Sequence, residues 1–70
     1  MKDDGGFGEI VKAHGALIRR IAGSYEANVS RAEELSQEIY LAVWRALPKF
    51  RGDASQRTFV ARIAHNRGIS

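Results

Sequence analysis

Apolar residues recur at three- and four-residue steps along most of the chain, which is the period of an amphipathic α-helix. Gly23 follows the first such segment, at the place of a left-handed C-terminal cap, and this predicts a helix over about residues 7–22. Arg19 and Arg20 then fall in the last turn, where positive charge complements the helix dipole. The stripe of this helix holds Phe7, Ile10, Val11, His14, Leu17, Ile18 and Ile21.

The second helical segment has a start and a stop signal. Ser30 and Glu33 have the spacing of a capping box, and Pro48 disfavours helical geometry at the residue before it. Together they predict a helix over about residues 31–47. Tyr40 and Trp44 widen its apolar arc, which predicts a central helix whose aromatics are packed by both neighbours. The narrow core arc holds Ala32, Leu35, Ile39, Ala42, Val43 and Ala46.

A third helix is predicted over about residues 55–68, after a connector that contains one proline and one glycine. Asp53 and Ser55 are both suitable N-caps, and the pattern does not choose between them. No segment shows the alternation of a strand. Three amphipathic helices with short connections predict an all-α fold, a compact three-helix bundle, as a single domain over residues 1–70. The apolar side of the third helix carries Phe59, Val60, Ile63 and Ala64.

Length and composition narrow the class of protein. Seventy residues hold one domain at most, and the absence of cysteine excludes a disulfide framework and a thiolate metal site. No apolar run approaches the roughly 20 residues of a membrane span, and no signal-peptide pattern opens the chain. We therefore expect a cytoplasmic protein with no membrane partner.

Charge is distributed unevenly. Residues 1–44 carry five basic and seven acidic side chains, whereas residues 45–70 carry six basic side chains and Asp53 as the one acid. This asymmetry fits a nucleic-acid partner for the C-terminal third, and it fits equally a solvated basic face without a partner. The polar arc of the third helix holds side chains suited to phosphates and base edges, namely Arg57, Thr58, Arg62, His65 and Asn66.

Catalytic chemistry has little support in the sequence. His14 lies on an apolar stripe, where a packed histidine is expected, and His65 has no neighbouring acid or nucleophile in a recognisable arrangement. No His, Asp and Glu spacing matches a metal site, and no phosphate-binding glycine loop occurs. We expect a protein that is not an enzyme and that uses no metal or cofactor.

Five segments occur in order and at close spacing: Ala32–Glu38, Tyr40 with Trp44 and Arg45, Phe50–Asp53, Arg57–Val60, and Arg62–Asn66. Together they resemble region 2 of bacterial RNA polymerase sigma factors, in the extracytoplasmic-function group of the sigma-70 family. The resemblance covers about residues 7–70. It implies a sigma-factor domain of the region 2 type that binds core RNA polymerase and recognises and opens the minus-ten promoter element.

The resemblance implies a polymerase-docking role for the second helix. In the family, the helix with this A-E-E-L-S-Q-E type of segment docks on the clamp coiled coil of the β′ subunit, and the role falls here on Gln37 and Glu38. The helical projection adds Glu34, Leu41 and Arg45, which share the exposed face. Leucine exposed alone is ordinary, so a docking patch and a plain solvated face both stay open for Leu41.

The resemblance also implies promoter contacts. The connector corresponds to the loop that holds a base flipped out of the minus-ten element, and the third helix to the one that follows the non-template strand. An anti-sigma factor is expected as a further partner, since such proteins commonly cover these same surfaces. The implied DNA-binding residues are Phe50, Arg51, Gly52, Asp53, Ser55, Arg57, Arg62, His65 and Asn66.

Three departures from the family pattern qualify this interpretation. Phe59 stands where tryptophan is usual, and Arg67, with Gly68 after it, stands where an apolar residue is common, which predicts a frayed or differently packed helix end. The chain stops at Ser70, so region 4 is expected to be absent from it. Two alternatives remain: a truncated helix-turn-helix, suggested by residues 61–70, and a protein-only bundle bound by an anti-sigma factor.

Overall fold

A computed structural model describes residues 7–70, which form three α-helices and one short 3₁₀ turn. Helix α1 is Phe7–Tyr25, α2 is Val29–Ala46, and α3 is Gln56–Ile69, with the 3₁₀ turn at Leu47–Lys49. No strand occurs among these residues, and every helix packs on the other two. The Cα radius of gyration is 11.8 Å, close to the ~11 Å of a compact chain of this length. The predicted all-α three-helix bundle is confirmed.

Helix α1 is longer than the pattern predicted. It continues through Gly23 to Tyr25, and the backbone N–H of Glu26 still donates to the carbonyl of Ala22. The prediction that Gly23 caps the helix is wrong, because Gly23 is helical and Gly52 is the one residue with positive φ in the described part of the chain. Arg19 and Arg20 accordingly lie before the last turn, which contains no basic residue.

Helix α2 begins two residues earlier than expected. The side-chain Oδ1 of Asn28 accepts from the backbone N–H of Arg31 at 3.0 Å, so Asn28 is the N-cap. The predicted capping box is therefore wrong, and Ser30 lies within the first turn. Asparagine is at least as good an N-cap as serine, and the extension of α1 to Tyr25 leaves only three residues for the connection. The C-terminal end, at Ala46, is within one residue of the prediction.

Helix α3 has its N-cap at Ser55, not at Asp53. The Ser55 hydroxyl accepts from the backbone N–H of Thr58 at 3.1 Å. The helix continues through Gly68 to Ile69, so of the two expected outcomes, fraying or different packing, fraying is wrong. The reason is a close approach to α1: a Cβ atom on Gly68 would overlap the ring of Tyr25.

The core lies where the three helices meet. Of the seven residues of the predicted α1 stripe, three are buried, three are half-buried and Val11 is exposed. Tyr40 packs against the core as expected. Trp44 does not, and it is 50% exposed; it lies about 140° around the helix from buried Ile39. The buried apolar residues are Ile10, Ile18, Ile21, Ala22, Ile39, Val43, Val60 and Ala64.

Candidate functional site

The outward face of α2 forms the first candidate surface. All five residues predicted to dock on the polymerase are exposed, and four of them line one shallow depression of about 820 Å³. Arg45 is exposed but does not line it. The four are Glu34, Gln37, Glu38 and Leu41.

Three further residues of this depression were missed by the docking assignment. Phe7, Tyr40 and Trp44 line it together with Leu41. Leu41 is 47% and Trp44 is 50% exposed, so two large apolar side chains three positions apart face solvent side by side. We call the depression, with Glu34, Gln37 and Glu38 around this apolar centre, the α2 face. The signal in the sequence was the three-residue spacing, which puts two side chains on one helix face.

The connector between α2 and α3 forms the second candidate surface. A recess of about 220 Å³ brings together Phe50, Arg51 and Asp53 from the connector and Arg62 from α3. We call it the connector recess. Its shape depends on Gly52, whose φ of 82° lies in the left-handed region, where a residue with a Cβ atom is strained.

An aromatic contact holds the connector recess together. The rings of Phe50 and Phe59 lie 4.5 Å apart between centroids with an interplanar angle of 40°. Phe59 also packs against the hydrophobic core, so the wall of the recess is continuous with the interior of the bundle. Phenylalanine in place of the family's usual tryptophan is thus accommodated as part of that wall.

The outer face of α3 forms a third surface, a shallow recess of about 450 Å³ that we call the α3 recess. It brings together the predicted DNA-binding residues of this helix. Arg62 lines both this recess and the connector recess, so the two adjoin at this side chain. The lining residues are Arg57, Thr58, Ala61, Arg62, His65 and Asn66.

Two predicted site residues shape the local backbone and do not line the recesses. Gly52 and Ser55 line neither recess. Gly52 provides the left-handed turn of the connector. The Ser55 hydroxyl accepts from the N–H of Thr58 and donates to the hydroxyl of Thr58 at 3.0 Å, so its hydrogen-bonding capacity is used in starting α3.

Two polar contacts tie α3 to α1 and were not predicted. The hydroxyl of Tyr25 lies 2.8 Å from Nδ1 of His65, and the two rings are edge to face with centroids 5.7 Å apart. Nε2 of His14 lies 3.1 Å from Oε1 of Gln56. The half-buried position of His14 agrees with its predicted packing role. Partners 40 and 42 residues apart leave no trace in local sequence patterns.

The α2 face differs in charge from the two recesses. The α2 face carries two glutamates, whereas the connector and α3 recesses together carry Lys49, Arg51, Arg57 and Arg62 against Asp53 alone. Within residues 7–70 no group of three His, Asp or Glu side chains is clustered as a metal site would require. None of the helices in that range combines the length and the apolar character needed to cross a bilayer.

Comparison with known proteins decides what this bundle is. The family model described as Sigma-70 region 2 matches residues 10–70. The chain belongs to the Sigma-70 region 2 family. The match includes all of α2, the connector and α3, so the sequence resemblance to sigma-70 region 2 is confirmed, and the helix-turn-helix alternative, confined to ten residues, accounts for far less of the chain.

A named relative agrees with the family assignment of this region 2 domain. The chain is 31% identical over 65 residues to the RNA polymerase sigma factor NccH of Alcaligenes xylosoxydans xylosoxydans. The aligned part is 93% of this chain and 35% of that protein, so the chain spans about a third of the length of the relative. The comparison with solved structures returned no significant match.

Proposed function

We propose that this region 2 domain is a non-catalytic part of a sigma factor, of the extracytoplasmic-function group, that acts in transcription initiation. In this proposal α2 binds core RNA polymerase, while the connector and α3 hold the unpaired non-template strand of the minus-ten element. The observation that carries the proposal is the division of the surface: an acidic, apolar-centred face and a basic double recess share no lining residue. The polymerase on α2 and the negatively charged DNA strand in the recesses can therefore bind at the same time.

The α2 face suits a helical protein partner, and we propose the β′ clamp coiled coil. Leu41 and Trp44 offer exposed apolar area on a rigid helix, and tryptophan is among the residues that most often dominate interface energetics. Glu34, Gln37 and Glu38 supply the polar rim that such interfaces have. The rim carboxylates favour basic side chains on the partner, with Arg45 exposed at the end of the helix as a flanking contact.

The connector recess suits a single unstacked base. Extracting a base from the stack costs a few kcal/mol, and the protein must return that energy through contacts. The Phe50 ring provides an apolar surface, Arg51 and Arg62 provide donors, and Asp53 provides an acceptor for an exocyclic amine. Gly52 gives the loop its turn. Ser55 contributes by starting α3, since its hydroxyl is committed to the cap.

The α3 recess suits the DNA backbone next to that base. Arg57 and Arg62 neutralise phosphates, which makes the binding salt-dependent, and Asn66 offers both a donor and an acceptor to a base edge. Among the residues that line the two recesses, Phe50 and Phe59 are the Phe, Trp or Tyr side chains, and the ring of Phe59 packs against that of Phe50. A domain without a broad stacking platform is expected to melt DNA weakly and to depend on a good promoter.

An anti-sigma factor is the further partner that this proposal includes, and the site of action is the cytoplasm, where the polymerase is. Such a regulator would compete with the polymerase or DNA by covering the α2 face or the recesses. The proposal assigns no cofactor to the domain.

The 70-residue chain can be tested directly against both partners. Titration of fluorescent chain with core RNA polymerase should show binding that Glu38→Lys weakens, because Glu38 lines the α2 face. Glu33→Lys is the matched control: Glu33 is exposed on the same helix but lies outside that face. If both charge reversals weakened polymerase binding equally, the loss would come from the change in net charge alone, and the docking assignment would be contradicted.

The DNA arm uses single-stranded oligonucleotides randomised at the minus-ten positions. Selection with the wild-type chain should enrich one sequence class, and affinity for it should fall steeply with salt. Arg62→Gln should weaken binding, because Arg62 lines both recesses. Arg20→Gln is the control, since exposed Arg20 lies on α1 and lines neither recess. No enrichment by the wild type would overturn the promoter part of the proposal.

A further inference from the structure

The contact between Tyr25 and His65 fixes the chemistry of one DNA-facing side chain. Tyr25 is the last residue of α1, and its ring lies against α3 at Gly68, where a Cβ atom would overlap it. The ring thus packs on the backbone of Gly68 while Tyr25 stays 38% exposed, and its hydroxyl meets Nδ1 of His65 at 2.8 Å. The edge-to-face arrangement, with an interplanar angle of 73°, is a favourable aromatic geometry.

The direction of this hydrogen bond follows from the two groups. A phenol O–H is a more acidic donor than a neutral imidazole N–H, and an imidazole nitrogen accepts better than a phenol oxygen. On these grounds we expect the hydroxyl of Tyr25 to donate to Nδ1 of His65. A neutral imidazole carries one proton, so in that arrangement the proton of His65 is on Nε2. In the imidazolium form both nitrogens carry protons, so Nε2 is a donor in either state.

The remaining nitrogen belongs to a residue that is available to DNA. His65 is exposed and lines the α3 recess between Arg62 and Asn66. A histidine without the Tyr25 contact would exchange between two tautomers. In one of them Nε2 is a lone-pair acceptor that repels a phosphate oxygen.

We propose that Tyr25 is a positioning residue that makes His65 an obligate hydrogen-bond donor, through Nε2, to a phosphate oxygen of the single strand bound in the α3 recess. The inference rests on the proposed function of that recess. It extends the site to α1, a helix that contributes no residue to the lining of either DNA recess.

The direct test is Tyr25→Phe in the 70-residue chain, which keeps the ring against Gly68 and removes only the hydroxyl. Long-range ¹H–¹⁵N spectra of His65 should show a proton on Nε2 and an acceptor Nδ1 in the wild type, and a tautomer mixture in the variant. Affinity for the selected oligonucleotide should fall roughly two- to tenfold. Tyr40→Phe is the control, since Tyr40 lies on α2 and outside both recesses; it should change neither readout.

A double-mutant cycle separates positioning from packing. His65→Ala leaves Tyr25 no side-chain acceptor at this position, so Tyr25→Phe in that background should cost no further affinity. An equal loss in both backgrounds would mean that Tyr25 acts through helix packing alone and would overturn the inference. Unchanged tautomers in the single variant would overturn it as well.

The choice of a phosphate is tested with oligonucleotides of different sequence. A phosphate contact predicts the same fold-loss from Tyr25→Phe on the selected oligonucleotide and on scrambled versions of it. A loss confined to one base identity would contradict the phosphate assignment. A wild-type chain that binds no single strand would contradict the proposed function itself, whereas a wild type that binds and a Tyr25→Phe variant that binds equally well contradicts only the role of Tyr25.

Discussion

The ring of Phe50 packs on the ring of Phe59 with 4.5 Å between their centroids. This one contact joins the connector to α3 and, through Phe59, to the core of the bundle. The connector is otherwise exposed from Arg51 to Asp53. The aromatic pair therefore anchors one wall of the recess, beside the left-handed turn at Gly52.

Replacement of Phe50 by alanine should affect both stability and DNA binding. The substitution removes the aromatic pair and part of its buried area, so we expect the free energy of unfolding to fall by about 1–2 kcal/mol. The free energy of binding to the single strand should fall by more than the free energy of unfolding, because the wall of the connector recess is lost. Urea unfolding and fluorescence anisotropy measure the two effects. Phe59→Trp keeps an aromatic partner and should preserve both; equal loss in both variants would contradict the contact's role.

Glycine substitutions should have opposite effects at two positions. Gly52→Ala places a Cβ at a φ of 82° and should cost about 1–2 kcal/mol. Gly23→Ala should stabilise the fold by up to ~1 kcal/mol, because Gly23 is helical, exposed and has open space for a methyl group. Thermal unfolding of both variants checks this. Destabilisation by Gly23→Ala would restore the cap that the sequence pattern suggested.

The N-cap of α2 gives a matched pair of variants. Asn28→Ala should lower the free energy of unfolding by about 1 kcal/mol, because it removes the side-chain acceptor for the N–H of Arg31. Ser30→Ala should be close to neutral, since Ser30 lies inside the helix and is exposed. Chemical denaturation of the two variants measures the difference. The reverse order would support the capping box over the Asn28 cap.

Trp44 should matter for the polymerase and little for the fold. Because it is 50% exposed, Trp44→Ala should lower the unfolding free energy modestly while weakening the binding of core RNA polymerase at least about tenfold. Val29→Ala is the control, since Val29 is 80% exposed at the other end of α2. Titration calorimetry with each variant measures the affinities. Polymerase binding unaffected by Trp44→Ala would remove the apolar centre of the α2 face from the docking site.

Part of the candidate site could be predicted from the sequence, namely the residues that share a face of one helix. Glu34, Gln37, Glu38 and Leu41 were assigned to one face from helical spacing and from the resemblance, and they do line one depression. Arg57, Arg62, His65 and Asn66 likewise share a recess. Their functional roles remain proposals. Neighbours on one helix are predictable because the helical period fixes their relative directions.

Local patterns along the chain were enough to predict the number of helices, their apolar sides and the family, because periodicity and motif order are properties of consecutive residues. The packing of the helices against one another settled the rest. It selected Asn28 over Ser30 as a cap, exposed Trp44, and extended α1 to Tyr25, whose ring meets Gly68 and His65. These outcomes depend on which helix faces which, and contacts between residues some 40 positions apart form only when the bundle closes.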